Sequence, residues 1–161
     1  MKKILVIFII LTLLLSSCQK REMRIQDIAN KVASNNAIPY PRHYVCGAAE
    51  YSDKYLHGSI SQILYGCDIL GYCSDFSVTL SKKDVVSELH ILLAKSEEKA
   101  DSLKKCLKSR ADVLRNKEIY LYDPENADKI NAMVYQKGLY VCLVAGENSE
   151  IMYEKLCKIL K

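Results

Sequence analysis

The strongest constraint on the fold is a strand–turn–strand–helix pattern in the middle of the chain. Apolar residues alternate with small polar residues over residues 76–80, and they alternate again over residues 85–93 beyond the turn sequence SKKD. Strict alternation is typical of half-buried strands, and a short polar turn between two such strands favours antiparallel pairing. An amphipathic helix with acidic residues in its first turn is predicted next, over residues 96–116.

A second unit of the same plan closes the chain. Residues 130–146 read as two strands joined at Gly138, and residues 149–160 carry an apolar stripe at helical spacing. Upstream, the pattern predicts an N-terminal helix, an irregular segment over residues 37–58 and a short helix that ends at Gly66. The expected fold class is α+β, in the order N-terminal helix, irregular region and ββαββα, with an antiparallel sheet and helices packed on one face.

The first 18 residues indicate export rather than folding into the domain. Lys2 and Lys3 precede an apolar run from Ile4 to Leu15. As a helix this run would be only about 18 Å long, whereas a hydrocarbon core is about 30 Å thick. Its length is instead typical of the apolar region of a secretory signal. The alternatives are an ordinary secretory signal and an uncleaved N-terminal anchor.

The sequence Leu15-Ser16-Ser17-Cys18 resembles the lipobox of bacterial lipoproteins. The resemblance implies lipidation of the Cys18 sulfur, cleavage before Cys18, and a membrane partner reached through the lipid. Two acyl chains hold a protein stably on a membrane, whereas a single chain does not. We therefore expect a signal peptide over residues 1–17, a lipidated cysteine and tether over residues 18–23, and one domain over residues 24–161 at the extracytoplasmic face of the cell membrane.

Charge and cysteine content narrow the function classes further. Cleavage leaves 144 of the 161 residues, and the formal net charge of +4 falls to +2 with the loss of Lys2 and Lys3. A nearly neutral domain gives no electrostatic basis for binding nucleic acid. Six cysteines remain besides Cys18, an even number that permits up to three disulfides outside the cytoplasm or, equally, six reduced thiols. They are Cys46, Cys67, Cys73, Cys106, Cys142 and Cys157.

Several short motifs, in their order, resemble the bacterial lipoprotein family built on domain of unknown function 4358. The matching positions are Leu64-Tyr65-Gly66, Tyr122-Asp123-Pro124, Ile130-Asn131-Ala132, Gly138 and Tyr140-Val141. The resemblance covers about residues 24–160. It implies an extracytoplasmic location and a fold plan, and it implies no activity, cofactor or catalytic residue.

Two chemical hypotheses arise from the irregular region. Cys46 lies close in sequence to His43 and His57, and an imidazole beside a thiol stabilises the nucleophilic thiolate. The same residues together with Cys67 and Cys73 form a possible zinc ligand set, although the spacing lacks the paired CxxC pattern of common structural sites. We expect neither catalysis nor a bound metal or cofactor.

Glu88 and His90 fall on the polar side of the second predicted strand. If one face of the sheet is open, these two residues and Tyr140 are candidates for a shared exposed surface. Most histidines in such a pattern are simply solvated.

A tyrosine-rich stretch is the best candidate for a binding surface. Tyrosine combines a large contact area with a polar tip and few rotatable bonds, so it is favoured at interfaces. The residues are Tyr40, Tyr44, Tyr51, Tyr55, Tyr65 and Tyr72. The favoured function is a non-catalytic binding or assembly module at the cell surface, with residues 40–73 as the contact region and an envelope protein as its possible partner. The alternatives are a thiol enzyme using Cys46 and a disulfide-stapled structural envelope lipoprotein.

Overall fold

The computed structural model describes residues 23–35, 37–83, 86–116 and 130–161. The signal peptide, Cys18, Val85 and Tyr122-Asp123-Pro124 lie outside the described residues. Four helices are present in the described part of the chain: α1 (Ile25–Val32), α2 (Gly58–Tyr65), α3 (Glu97–Arg115) and α4 (Ser149–Ile159). The described residues also form five strands, β1 (Pro41–Val45), β2 (Cys73–Ser81), β3 (Glu88–Ala94), β4 (Asn131–Lys137) and β5 (Tyr140–Gly146), and a 3₁₀ turn spans Ile69–Gly71.

All strand pairs are antiparallel, and the strand order in the sheet is β1-β2-β3-β5-β4. The central strand is β3, with Val78 of β2 and Leu143 of β5 paired to His90 on either side. The α+β class and the antiparallel sheet predicted from the sequence are confirmed. Both hairpins, β2–β3 and β4–β5, are also present at the predicted places.

Helices cover both faces of the sheet, which corrects the expectation that they pack on one face. On one face, α2 and α3 enclose a core that includes Val78, Leu92, Leu103 and Leu143. On the other face, α1 and α4 enclose a second core that includes Leu89 and Ile91. The correction follows from the strands themselves, because β3 and β5 bury side chains on both of their faces.

Local signals explain where α3 begins and which side it buries. The Ser96 hydroxyl accepts a hydrogen bond from the backbone N–H of Lys99 at 3.3 Å, and Glu97 and Glu98 lie in the first turn, where the helix dipole favours acid. The buried side chains follow helical spacing: Ala100, Leu103, Leu107, Ala111 and Leu114. They pack on the β3, β5 and β4 part of the sheet.

The irregular segment predicted over residues 37–58 contains a strand. β1 pairs with β2 over its whole length, from Pro41 opposite Ser81 to Val45 opposite Ser77. Its sequence, PRHYV, has no clean alternation, so the strand is recognisable only from its partner. β1 begins with Pro41, which has no N–H group to donate. An edge strand tolerates proline because one of its sides makes no hydrogen bonds within the sheet.

Candidate functional site

Glu88 and His90 lie inside the protein, under α2 and α3. The His90 ring is completely buried. Its Nδ1 lies 2.6 Å from the Tyr65 hydroxyl, and its Nε2 lies 2.8 Å from Oε2 of Glu88. The open-face surface predicted for Glu88, His90 and Tyr140 is therefore wrong. The side chain of Tyr140 packs with the core on the opposite face of the sheet.

Arg110 of α3 completes this buried network. Its Nε donates to Oε2 of Glu88 at 3.2 Å, and its Nη2 donates to Oε1. Two parallel N–H···O bonds to one carboxylate fix the geometry of the pair. About one sixth of the Arg110 side chain, 17%, remains exposed to solvent.

Electrostatics within the network keep Glu88 ionised. Burial acts to raise the pKa of the Glu88 carboxyl, but interactions with His90 and Arg110 outweigh it and leave the pKa below its usual value. The pKa of Tyr65 is raised, first by burial and then by the Glu88 charge. The tyrosine hydroxyl is therefore held in its neutral form, in hydrogen-bonding distance of the imidazole.

The chain Tyr65–His90–Glu88 has the order of groups found in acid–base catalysis, but a catalytic group must touch a substrate. Tyr65 is 5% exposed, His90 is fully buried and Glu88 is 3% exposed. We conclude that this network fixes the packing of α2 and α3 on the sheet. Buried polar chains of this kind specify one arrangement of a core when every member is satisfied.

The six tyrosines predicted as one surface are divided between core and exterior. Tyr44 and Tyr65 are buried, so they are not part of an exposed surface, which corrects that prediction for these two residues. Tyr55 and Tyr72 are half-buried, and Lys99 Nζ lies 4.8 Å from the centre of the Tyr72 ring. The two exposed members are Tyr40 at 71% and Tyr51 at 99%.

A small cavity lies where the loop after β1 meets β2. Its volume is about 190 Å³. Most of its lining is apolar, and the residues include Val45, Cys46, Ala48, Tyr55, Leu56 and Phe76. Tyr51 belongs to the same loop and lies in sequence between the lining residues Ala48 and Tyr55. The tyrosine-rich stretch therefore contributes both a cavity and an exposed aromatic ring.

The structure gives Cys46 neither of its predicted imidazole partners. The His43 ring lies 3.0 Å from the Thr79 hydroxyl, and the His57 ring packs edge-on against Tyr55 at 4.8 Å. The Cys46 thiol instead contacts the Ser74 carbonyl oxygen at 3.8 Å. Burial, together with the Asp75 charge, raises the pKa of Cys46. A nucleophilic cysteine needs a lowered pKa, because the thiolate is the reactive form.

The proposed zinc ligands are not gathered either. Among the described residues, no group of three or more histidine, cysteine, aspartate or glutamate side chains is placed to hold a metal ion. One cysteine pair does meet: Sγ of Cys67 lies 2.7 Å from Sγ of Cys106.

Sequence reasoning missed Arg110 as a member of the buried network. The available signal was its position, because Arg110 directly precedes Ala111 on the border of the α3 apolar stripe. A charged residue at such a border is usually solvated, and the acidic partner that changes this lies 22 residues away at Glu88. The distance in sequence explains why the pairing was not visible.

None of the helices in the described part of the chain has the length and apolar character needed to cross a membrane.

The chain matches no protein-family model. Searches of curated proteins and of solved structures also gave no match. Membership of the lipoprotein family suggested by the sequence motifs therefore stays a prediction.

Proposed function

We propose that this chain is a lipid-anchored extracytoplasmic protein that binds another envelope protein and does not catalyse a reaction. The observation that carries the proposal is an apolar cavity lined by the loop that also bears Tyr51, a residue that is 99% exposed. The anchor rests on the lipobox-like sequence ending at Cys18. The contact surface, called here the 46–56 loop surface, comprises residues 46–56 together with the cavity that they line.

The size of the cavity favours a protein partner over a free small molecule. Sites for drug-sized ligands measure roughly 300–1,000 Å³, whereas this cavity measures about 190 Å³. A space of this size suits one apolar side chain presented by a partner. Interfaces gain most of their affinity from such an anchor seated in a desolvated pocket.

The tyrosines outside the core support the same function. A ring that is 99% exposed, as Tyr51 is, contributes nothing to the core of this domain. Tyr40 is also exposed and has a positive φ of 46°, a conformation that non-glycine residues rarely adopt. Its carbonyl oxygen accepts a hydrogen bond from Lys82 N at 3.1 Å, which holds this backbone in place. Strained, well-fixed residues of this kind are common at functional sites.

Site-specific photo-crosslinking in the native cell tests the binding surface. A photo-reactive residue replaces Tyr51, and a matched control replaces Ile151, which is also exposed but lies on α4. We expect a defined crosslinked protein from position 51 and none from position 151. A second variant, Ala48→Leu, fills the cavity and should abolish the crosslink while the melting temperature stays unchanged. Equal crosslinking from both positions, or crosslinking that survives Ala48→Leu, would contradict the proposal.

The anchor needs its own measurement, because binding and anchoring can fail separately. The intact mass of detergent-extracted protein should lack residues 1–17 and gain a diacylglycerol group, and Cys18→Ser should lose both changes. A full-length, unlipidated mass would rule out the lipid anchor on Cys18, and the crosslinking result would still test the binding surface.

A further inference from the structure

Two cysteine sulfur atoms are in direct contact between α2 and α3. Cys67 follows Gly66, the residue that ends α2, and Cys106 lies in the middle of α3. Their Sγ atoms are 2.7 Å apart, and both residues are half-buried. In the described part of the chain, this is the one pair of cysteines whose sulfur atoms touch. Two thiols in contact need little movement to form a bond.

The backbone around Cys67 is fixed by a buried serine. The Ser61 hydroxyl donates to the carbonyl oxygen of Cys67 at 3.0 Å and accepts from the N–H of Ile69 at 3.0 Å. Ser61 is completely buried. The turn after α2 is therefore held in one conformation, and the Cys67 sulfur is presented to α3 by the fold rather than by a mobile segment.

We propose that Cys67 and Cys106 form a disulfide bond that fastens the end of α2 to α3 when the protein meets a disulfide-bearing oxidant, such as an envelope thiol–disulfide oxidoreductase. One cysteine, as its thiolate, attacks a sulfur of the oxidant disulfide and releases one oxidant thiol. The other cysteine then attacks the mixed disulfide and releases the second oxidant thiol. The protein loses two protons and two electrons, and the oxidant disulfide takes them up to become two thiols.

The Cys67 thiol is a poor attacking group near neutral pH. Burial, followed by the neighbouring Cys106 sulfur, raises the pKa of the Cys67 thiol to about 12. Very little of this group is thiolate at neutral pH, and the thiolate is the attacking species. Attack by the Cys67 sulfur should therefore be slow near neutral pH and should accelerate as pH rises.

The position of the bond gives it a structural effect. Cys67 lies two residues after Tyr65, and Cys106 lies one helical turn before Arg110. Tyr65 and Arg110 are the two residues that reach the buried pair Glu88–His90 from α2 and α3. The disulfide would tie together the two elements that close this network.

Cys46 and Cys73 form the rival pair. Both line the cavity that belongs to the 46–56 loop surface. Burial, and after it the proximity of Cys46, raises the pKa of Cys73. Their sulfur atoms make no contact of the kind seen between Cys67 and Cys106. A test must therefore identify which two cysteines are joined.

Peptide mapping of the full chain in detergent, after incubation with oxidised glutathione and alkylation of the remaining thiols, makes that identification. We expect a peptide pair joined through Cys67 and Cys106, and a melting temperature about 10 °C above that of the reduced protein. The control Cys46→Ser should give the same joined peptides, and Cys106→Ser should give none.

Alkylation of both Cys67 and Cys106 after prolonged oxidation would overturn the proposal, and so would a dominant peptide pair joined through Cys46 and Cys73. The mapping on the unmodified chain does not depend on whether any variant folds. It also needs no binding partner, so its failure would leave the crosslinking test of the 46–56 loop surface unaffected.

Discussion

The Tyr65 hydroxyl lies 2.6 Å from Nδ1 of His90 and joins the end of α2 to the central strand of the sheet. The two residues are 25 positions apart in sequence and meet where neither has access to bulk water. A hydrogen bond in this position has no solvent substitute. Removing the hydroxyl should therefore lower the free energy of unfolding by the full desolvation cost of His90 Nδ1, which is left buried without this partner.

Tyr65→Phe removes the hydroxyl and leaves Nδ1 of His90 without this partner. We expect the free energy of unfolding to fall by about 1–3 kcal/mol. Urea denaturation measures the change. The matched control is Tyr51→Phe, which removes the same group from a ring that is 99% exposed and should change stability by less than about 0.5 kcal/mol. Equal effects of the two variants would mean that the buried hydrogen bond contributes nothing.

Arg110→Met removes the guanidinium and leaves the Glu88 carboxylate buried without its bidentate partner. Breaking a buried ion pair from one side typically costs about 3–5 kcal/mol. The double variant Glu88→Gln/Arg110→Met should recover part of this loss, because no buried charge then remains. Arg24→Met is the control: it breaks the exposed pair between Arg24 and Asp27, whose atoms are 3.2 Å apart, and should cost about 0–1 kcal/mol. A double variant less stable than Arg110→Met would contradict the charge argument.

Acid should destabilise the protein in part through Glu88. The pKa of this carboxyl is lower in the folded protein than its ordinary value of 4.5. Its contribution to stability is therefore fully present above the unfolded pKa and is lost as pH falls through the lower folded pKa. Unfolding free energies measured from about pH 6 to about pH 2 should decline less steeply in Glu88→Gln than in the unsubstituted protein. Glu98→Gln, at a side chain that is 84% exposed and therefore screened by solvent, should change the slope much less.

Gly146 is a position where only glycine fits. It has φ +109°, and an added Cβ would lie 2.6 Å from the Ser87 hydroxyl oxygen and 3.0 Å from the Ser87 Cα. Gly138, in the β4–β5 turn, has φ +54° and open space around the added Cβ. Gly138→Ala should therefore cost about 1–2 kcal/mol from backbone strain alone, and Gly146→Ala should cost clearly more. Thermal unfolding of the two variants side by side makes the comparison, and equal losses would contradict it.

The sequence was sufficient for the elements whose pattern is local. Alternation over residues 76–80 predicted β2, and the apolar stripe that includes Leu103 and Leu107 predicted α3. β1 could not be found in this way. Its sequence PRHYV is half-exposed and mixed in polarity. The strand forms because it pairs with the edge of β2, where His43 lies opposite Thr79, 36 positions later in the sequence.

The polar network shows a second limit. Glu88 and His90 alternate with apolar residues as on the solvated face of a strand, and nothing in the local sequence distinguishes a solvated polar face from a buried one. Their burial depends on a tyrosine and an arginine supplied by other elements. Likewise, the cavity and the meeting of Cys67 with Cys106 arise from how α2, α3 and the 46–56 loop pack on the sheet, which no local pattern encodes.

The alternation of β3 between the two cores has a consequence for how the domain unfolds. Leu89 and Ile91 belong to the core under α1 and α4, whereas Leu92 and Ala94 belong to the core under α2 and α3. A shift of β3 by one residue relative to its neighbouring strands would move its apolar side chains and the Glu88–His90 pair to the opposite faces of the sheet at once. Neither half of the molecule has a hydrophobic interior that survives the loss of this strand. The domain should therefore melt as one cooperative unit, with no stable half-folded species in which one helical layer persists alone.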